Sequence, residues 1–250
     1  MSRQLPEIYT IPYDQYIREH GISLMEYFAR LKQADKGERM NKLLVILNVA
    51  FNKCVKKLVK RSFSKTIDVQ FGIYTGEEYK DWLTINLKPS HGWKDWIINL
   101  FALPKRLDGG WVHGGYWSEI MTYWPDFIGT IHNTPELAKA LQNGVIISGR
   151  SKGAAEAVLV AYRMWFPGIK MLVGAVEPPM CVSYQLSKRI ESTLDVFWTC
   201  YKNDIVPGIP KWFDFPGTKY QLGDRRLGLS IKDHTTSTTD YEIMRKWIEA

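Results

Sequence analysis

An α/β fold with a mostly parallel central sheet flanked by helices is predicted by three observations. Short apolar runs alternate with amphipathic ones through the second half of the chain, the pattern of βαβ units. Hydrophobic residues make up 45% and charged residues 24%, ordinary usage for a folded globular protein. No repeat or low-complexity tract interrupts the 250 residues, a length that suffices for one domain with a sizeable core.

Residues 1 to 65 read as an N-terminal helical segment and residues 66 to 250 as the core of that domain. "DQYIREHGISLMEYFARLKQ" and "ERMNKLLVILNVAFNKCVKKLVKRS" carry apolar residues at mixed spacings of three and four, which is helical. "IDVQFGIYTG" and "YKDWLTINL" are short β-branched and aromatic runs with a glycine turn between them, as in paired strands. "GVIISG" then predicts a buried strand, "SKGAAEAVLVAYRMW" a helix, "KMLVGAV" a strand and "SYQLSKRIES" a helix. "LDVFWTCY" follows as a strand and "TTDYEIMRKWIEA" as a terminal helix.

Charge and composition narrow the function classes. Lysine and arginine total 33 against 26 acidic residues, a net charge of +7 that favours anionic surfaces such as lipid headgroups or nucleic acid without choosing between them. Much of the surplus falls in "NKCVKKLVKRSFSK", residues 52 to 65, read as a solvated helix face. No zinc-finger spacing or RRM signature is present, so no specific nucleic-acid partner is expected. Cys54, Cys181 and Cys200 lack C-x-x-C spacing, which indicates neither a disulfide framework nor a zinc site. The N-terminus lacks the apolar core of a secretory signal, and the longest apolar run, "LLVILNVAF", spans about half a bilayer. A soluble, cytoplasmic protein is the expectation. Oligomeric state is not indicated. The aromatic-rich stretch from 93 to 124 reads as core or as an apolar pocket.

Chemistry enters at "SGRSKGA". Gly149, Ser151 and Gly153 form G-x-S-x-G at a predicted strand-to-helix junction, where a nucleophilic serine occupies a tight turn beside a helix N-terminus. The alternative is a glycine-rich turn with a serine cap. A serine nucleophile needs a base, and in the Ser, then acid, then His order only His234 qualifies, because His20, His91, His113 and His132 precede Ser151. Asp204 is the leading acid: it ends an apolar strand, and Pro207 and Pro210 stop further pairing. Asp195, Asp214, Asp224 and Asp233 are its rivals. His234 is expected in a loop before the last helix.

Four segments together resemble the class 3, or fungal-type, lipases, a family of α/β hydrolases. Gly149 to Ala155 match the nucleophile motif G-H-S-L-G-G-A, and Asn203 to Pro210 match N-D-x-V-P-x-x-P. Val112-His113-Gly114-Gly115-Tyr116 resembles V-H-x-G-F. "LKPSHGWKDWIINL" resembles the strand-end F-R-G-[ST] with its following D-W-x-x-N-L helix. The resemblance implies an α/β-hydrolase fold and a serine ester hydrolase acting through an acyl-enzyme. Ser151 would be the nucleophile, His234 the base and Asp204 its orienter, with the amides of Ser90 and Lys152 in the oxyanion hole. It implies no metal and no organic cofactor. Trp93, Trp96 and Ile97 would belong to a lid over the substrate pocket or to a fixed amphipathic helix, and His113 would support the site structurally.

Two departures from the family pattern bear on the substrate and on the oxyanion hole respectively. Arg150 and Lys152 stand where the family has His and Leu, and a cation pair flanking the serine either favours an anionic substrate such as a phospholipid or points outward. "KPSH" replaces F-R-G-[ST]. Beside a lipase or carboxylesterase stand a phospholipase-type acyl hydrolase and a catalytically degenerate fold. The latter would bind membrane surfaces or proteins through residues 52 to 65 and 93 to 124.

Overall fold

The structure, a computed structural model, describes residues 15, 19–20, 24–63, 67–89, 103–224 and 228–249. Helix α1 (Leu24–Ala50) leads into strands β1 (Val55–Ser62), β2 (Ile67–Tyr74) and β3 (Leu83–Pro89). A hairpin of β4 (Pro104–Leu107) and β5 (Gly110–His113) precedes α2 (Gly114–His132) and α3 (Pro135–Asn143). Strand and helix then alternate: β6 (Val145–Arg150), α4 (Lys152–Met164), β7 (Met171–Val176), α5 (Tyr184–Glu191), β8 (Asp195–Tyr201) and β9 (Thr218–Leu222). Helices α6 (Ile231–Thr239) and α7 (Tyr241–Glu249) close the chain.

The main sheet has seven strands in the order β1-β2-β3-β6-β7-β8-β9. From β3 onward every neighbour is parallel, while β1 and β2 add antiparallel strands at one edge. Alternation along the central strands serves two cores, because successive side chains leave opposite faces. Val145, Ile147, Val173, Ala175 and Trp198 face α2 and α4, where Ile120, Phe127, Val158 and Leu159 meet them. Ile146, Leu172, Val176 and Phe197 face α1 and α7, against Leu43, Ile46, Leu47, Met244 and Ile248. Both faces of the sheet are therefore covered, as parallel strands require.

Residues 52 to 65 do not continue the N-terminal helix: Asn52 and Cys54 take φ of 55° and 50°, ending it, and Val55 to Ser62 pair with β2. A bulge between Lys57 and Val59 explains the misleading pattern. It breaks the strict alternation, so Lys56 with Lys57 and Lys60 with Arg61 emerge as exposed pairs around half-buried Leu58 and Val59. Paired exposure four residues apart imitates a helix face. Lysines on an outermost strand also discourage edge-to-edge association.

The paired strands 67–74 and 83–89, the β6-α4-β7-α5-β8 succession and the terminal helix match the sequence reading. Helices α2 and α3 do not follow from it, although Thr134-Pro135 carries a start signal, proline at the first helical position. The aromatic-rich region divides. Tyr116, Tyr123 and Phe127 of α2 are buried, whereas Trp111 of β5 is exposed. Among the described residues, no helix is long and apolar enough to cross a membrane. No disulfide joins Cys54, Cys181 or Cys200 to another described residue.

Candidate active site

Ser151 is the hinge between β6 and α4, and its backbone is held at φ 53° and ψ −129°. Such a positive φ is unfavourable for a residue with a Cβ and persists only where the surroundings enforce it. They do so by close backbone approach. A Cβ on Gly149 would stand 2.3 Å from the Gly153 carbonyl oxygen, and one on Gly153 would stand 2.4 Å from that of Leu87. The two glycines thus let β6, α4 and β3 pack backbone to backbone around the turn. The Ser151 amide donates to the Val176 carbonyl at 2.8 Å, and the Ser151 carbonyl accepts from Ala154 at 2.9 Å.

Asp204 follows β8. Its amide donates to the Tyr201 carbonyl at 3.0 Å, and its Oδ1 accepts from the Val206 amide at 2.8 Å, which fixes the carboxylate. A parallel bridge joins Asp204 to Ser230, and the Ser230 amide donates to the Asn203 carbonyl at 2.8 Å. Asp233 ties the same junction from the other side, accepting from the Asn203 amide at 3.3 Å. These links seat the first turn of α6 beside the end of β8 and deliver His234 between the other two residues. His234 Nδ1 lies 2.6 Å from Asp204 Oδ2, and Nε2 lies 2.9 Å from Ser151 Oγ. All three residues are buried, with relative exposures of 3% for Ser151, 6% for Asp204 and 3% for His234.

His234 therefore sits in a helix rather than in the expected loop. The rival aspartates are otherwise engaged or placed: Asp195 pairs with Lys42 at 2.9 Å, Asp214 accepts from the Phe215 amide, Asp233 accepts from Asn203, and Asp224 is exposed. His113 is wholly buried. It caps α2, its Nδ1 accepting from the Tyr116 amide at 3.3 Å and its ring stacked on Tyr116. Ser90, Trp93, Trp96 and Ile97, together with the rest of the expected lid, lie outside the described residues.

The two cations beside the serine do not form the outward or substrate-facing pair that the sequence suggests. Lys152 is 1% exposed, donates to Glu119 Oε2 of α2 at 2.6 Å and forms an ion pair with Glu156 Oε1 of its own helix at 3.0 Å. Tyr123 donates to the other Glu156 oxygen at 3.2 Å. Burial, with the Glu119 carboxylate adding to it, pushes the Glu156 carboxyl up to about 7 against the pull of Lys152. Arg150 lies with its guanidinium 4.6 Å from the centre of the Phe51 ring, and burial lowers its pKa. What can be read as a charged rim is packing beneath the turn.

Glu177 has no counterpart in the sequence reading. It directly follows β7 with φ 53°, is fully buried, and accepts from Thr199 Oγ1 at 3.1 Å. Burial, and then the neighbouring Asp204 carboxylate, pushes its carboxyl well above the usual range. The one signal in the sequence is a charged residue closing the apolar run "MLVGAV" before Pro178-Pro179. Among the described residues, no group of three or more His, Cys, Asp or Glu is placed to hold a metal ion.

The family model for lipase (class 3) matches residues 75–213. The fold is similar to that of Rhizomucor miehei lipase in complex with its propeptide: 16% identity, 76% of this chain and 69% of that one, TM-score 0.60. It is also similar to lipase II from Rhizopus niveus, at 18% identity over 76% of this chain and 81% of that one, with TM-score 0.62. A third similar structure is a triacylglycerol lipase whose catalytic centre is formed by a serine protease triad: 16% identity, 83% and 92% coverage, TM-score 0.59. No curated protein matches in sequence. At these identities the likeness shows the fold, an α/β-hydrolase fold with a mostly parallel central sheet. The family model, which spans more than half of the sequence, shows the rest: the chain belongs to the class 3 lipases.

Proposed function

We propose that this protein is a serine ester hydrolase that cleaves lipid or other carboxylic esters, with Ser151 as nucleophile, His234 as general base and Asp204 as the residue that orients it. The observation that carries this reading is the unbroken contact chain from Asp204 Oδ2 through both nitrogens of His234 to Ser151 Oγ, at 2.6 and 2.9 Å. Hydrogen-bond reach between nucleophile and base, with the base held by a third group, is the arrangement acyl transfer requires.

In the acylation step Ser151 Oγ attacks the ester carbonyl while His234 Nε2 takes its proton. Asp204 holds the tautomer with hydrogen on Nδ1 and stabilises the imidazolium that forms. The carbonyl oxygen becomes an oxyanion beside the first turn of α4, where the Lys152 amide and the helix N-terminus favour negative charge. Ser90, after β3, is the proposed second donor. Collapse of the intermediate breaks the ester bond, and His234 returns its proton to the departing alcohol. Water then attacks the acyl-enzyme by the same base, releasing the acid and restoring Ser151.

With Lys152 bonded to two carboxylates and Arg150 over Phe51, the flanking cations give no support for a preference toward anionic substrates. Neutral acyl esters are the proposed substrate class. Hydrolysis of p-nitrophenyl esters from acetate to palmitate, by the wild type and Ser151→Ala in parallel, tests the reading. Turnover in the wild type that vanishes in the variant is expected, whereas equal turnover in both would exclude Ser151 as nucleophile.

A further inference from the structure

We propose that Glu177 is a positioning residue of this site: un-ionised, it donates a hydrogen bond to Asp204 and so helps to hold that carboxylate against His234. The inference rests on the reading of Asp204 as the acid of the triad. Glu177 directly follows β7 and Asp204 follows the neighbouring parallel strand β8, so the two buried carboxyls lie at the same end of the sheet, near enough to interact directly.

A hydrogen bond between two carboxyls requires that one of them carry the proton. Two buried carboxylates in contact cannot both be ionised without severe repulsion. Their surroundings decide which one keeps the charge. Asp204 receives the Val206 amide on Oδ1 and His234 Nδ1 on Oδ2, donors that favour its carboxylate. Glu177 receives the Thr199 hydroxyl on Oε1 and the Tyr201 amide, but no donor reaches its buried Oε2 among the described residues. An ionised Oε2 would be left unsatisfied in the interior, at considerable cost, while an O–H there has Asp204 to donate to. From β6, Arg150 is the nearest charged residue in strand register, opposite Val176, and its guanidinium lies over Phe51.

The positive φ of Glu177 supports the assignment. At 53° the backbone sits in a region that disfavours side chains, yet the position carries a glutamate rather than a glycine. Strain of this kind re-aims the side chain at the end of the strand. In catalysis the arrangement keeps one negative charge in the pair and places it on the residue that contacts the histidine. Asp204 then accepts three hydrogen bonds instead of two, and the imidazolium forms opposite a carboxylate whose orientation is set from both sides.

Glu177→Gln and Glu177→Met test this. Glutamine keeps an acceptor for Thr199 and an N–H donor for Asp204; methionine fills similar space and offers neither. The Met variant is expected to lose about tenfold or more in kcat with KM little changed, and the Gln variant to recover to within about threefold of the wild type. Equal kcat in the two variants, high or low, would overturn the proposal, because packing alone would then account for Glu177. An infrared difference spectrum, wild type minus Glu177→Gln at neutral pH, supplies a readout that needs no turnover. The carbonyl band of an un-ionised carboxylic acid is expected, and a carboxylate signature alone overturns the inference. Ser151→Ala, assayed beside them, separates the two levels: wild-type turnover that survives in it defeats the reading of Ser151, His234 and Asp204 as the triad, while the infrared result still decides the state of Glu177.

Discussion

Nδ1 of His234 stands 2.6 Å from Oδ2 of Asp204, although 30 residues separate them in sequence. Asn203 and Ser230 lace the two segments together, so the contact is built into the backbone. Asp204→Asn preserves the shape but replaces an acceptor with an amide that favours the wrong histidine tautomer. A fall in kcat of about 10⁴ is expected, with KM little altered. Steady-state kinetics on one soluble ester check this, and a loss below about tenfold would speak against Asp204 as the orienting acid.

The turn around Ser151 depends on absent side chains. A Cβ at Gly153 meets the Leu87 carbonyl oxygen at 2.4 Å, and backbone on both sides prevents relief. Gly153→Ala is expected to cost about 3 kcal/mol or more in unfolding free energy and to abolish turnover, because the serine moves with the helix. Gly37→Ala is the control: nothing lies within 4 Å of its added Cβ, and in helix α1 alanine is expected to stabilise by up to about 1 kcal/mol. Urea unfolding of the three proteins distinguishes these outcomes.

Lys152 belongs to the interior. Its replacement by methionine leaves Glu119 and Glu156 without their shared ammonium, which is expected to cost about 3–5 kcal/mol. Selectivity is expected to stay put: the ratio of kcat/KM for a neutral butyrate ester to that for a negatively charged hemisuccinate ester should match the wild type. A large change in that ratio would return Lys152 to the substrate pocket.

Glu156 gives the pH dependence of stability a definite sign. Its carboxyl, raised from 4.5 to about 7 in the fold chiefly by burial, binds a proton that the unfolded chain has already released. Over that window the folded state holds more protons, so this group's contribution is intact below about pH 4.5 and declines as the pH rises to about 7. The total is on the order of 3 kcal/mol. Glu156→Gln removes the titration. Its stability relative to the wild type should therefore rise between pH 5 and pH 8 in denaturant unfolding, whereas a constant difference would show that Glu156 stays ionised throughout.

The parallel core of the fold was legible because its strands are nearly pure apolar runs, such as "GVIISG" and "KMLVGAV", each followed by a helical pattern. Strand β1 was not: its bulge turns a period of two into exposed pairs, and a local pattern cannot reveal a register shift set by the partner strand. In the candidate site, Ser151, Asp204 and His234 followed from motif and chain order. Their joining depends on long-range pairing, which the sequence only implies. The orientation of Lys152 and the burial of Glu177 were out of reach. Whether a lysine faces solvent or two carboxylates is decided by α2, and a glutamate at a strand end carries no motif.

The most direct test of the central claim is labelling with a fluorophosphonate probe, followed by mass-spectrometric location of the adduct. One adduct on the peptide containing Ser151, lost in both Ser151→Ala and His234→Ala, is the result this account expects. An intact protein that stays unlabelled, or an adduct on a different serine, would contradict it.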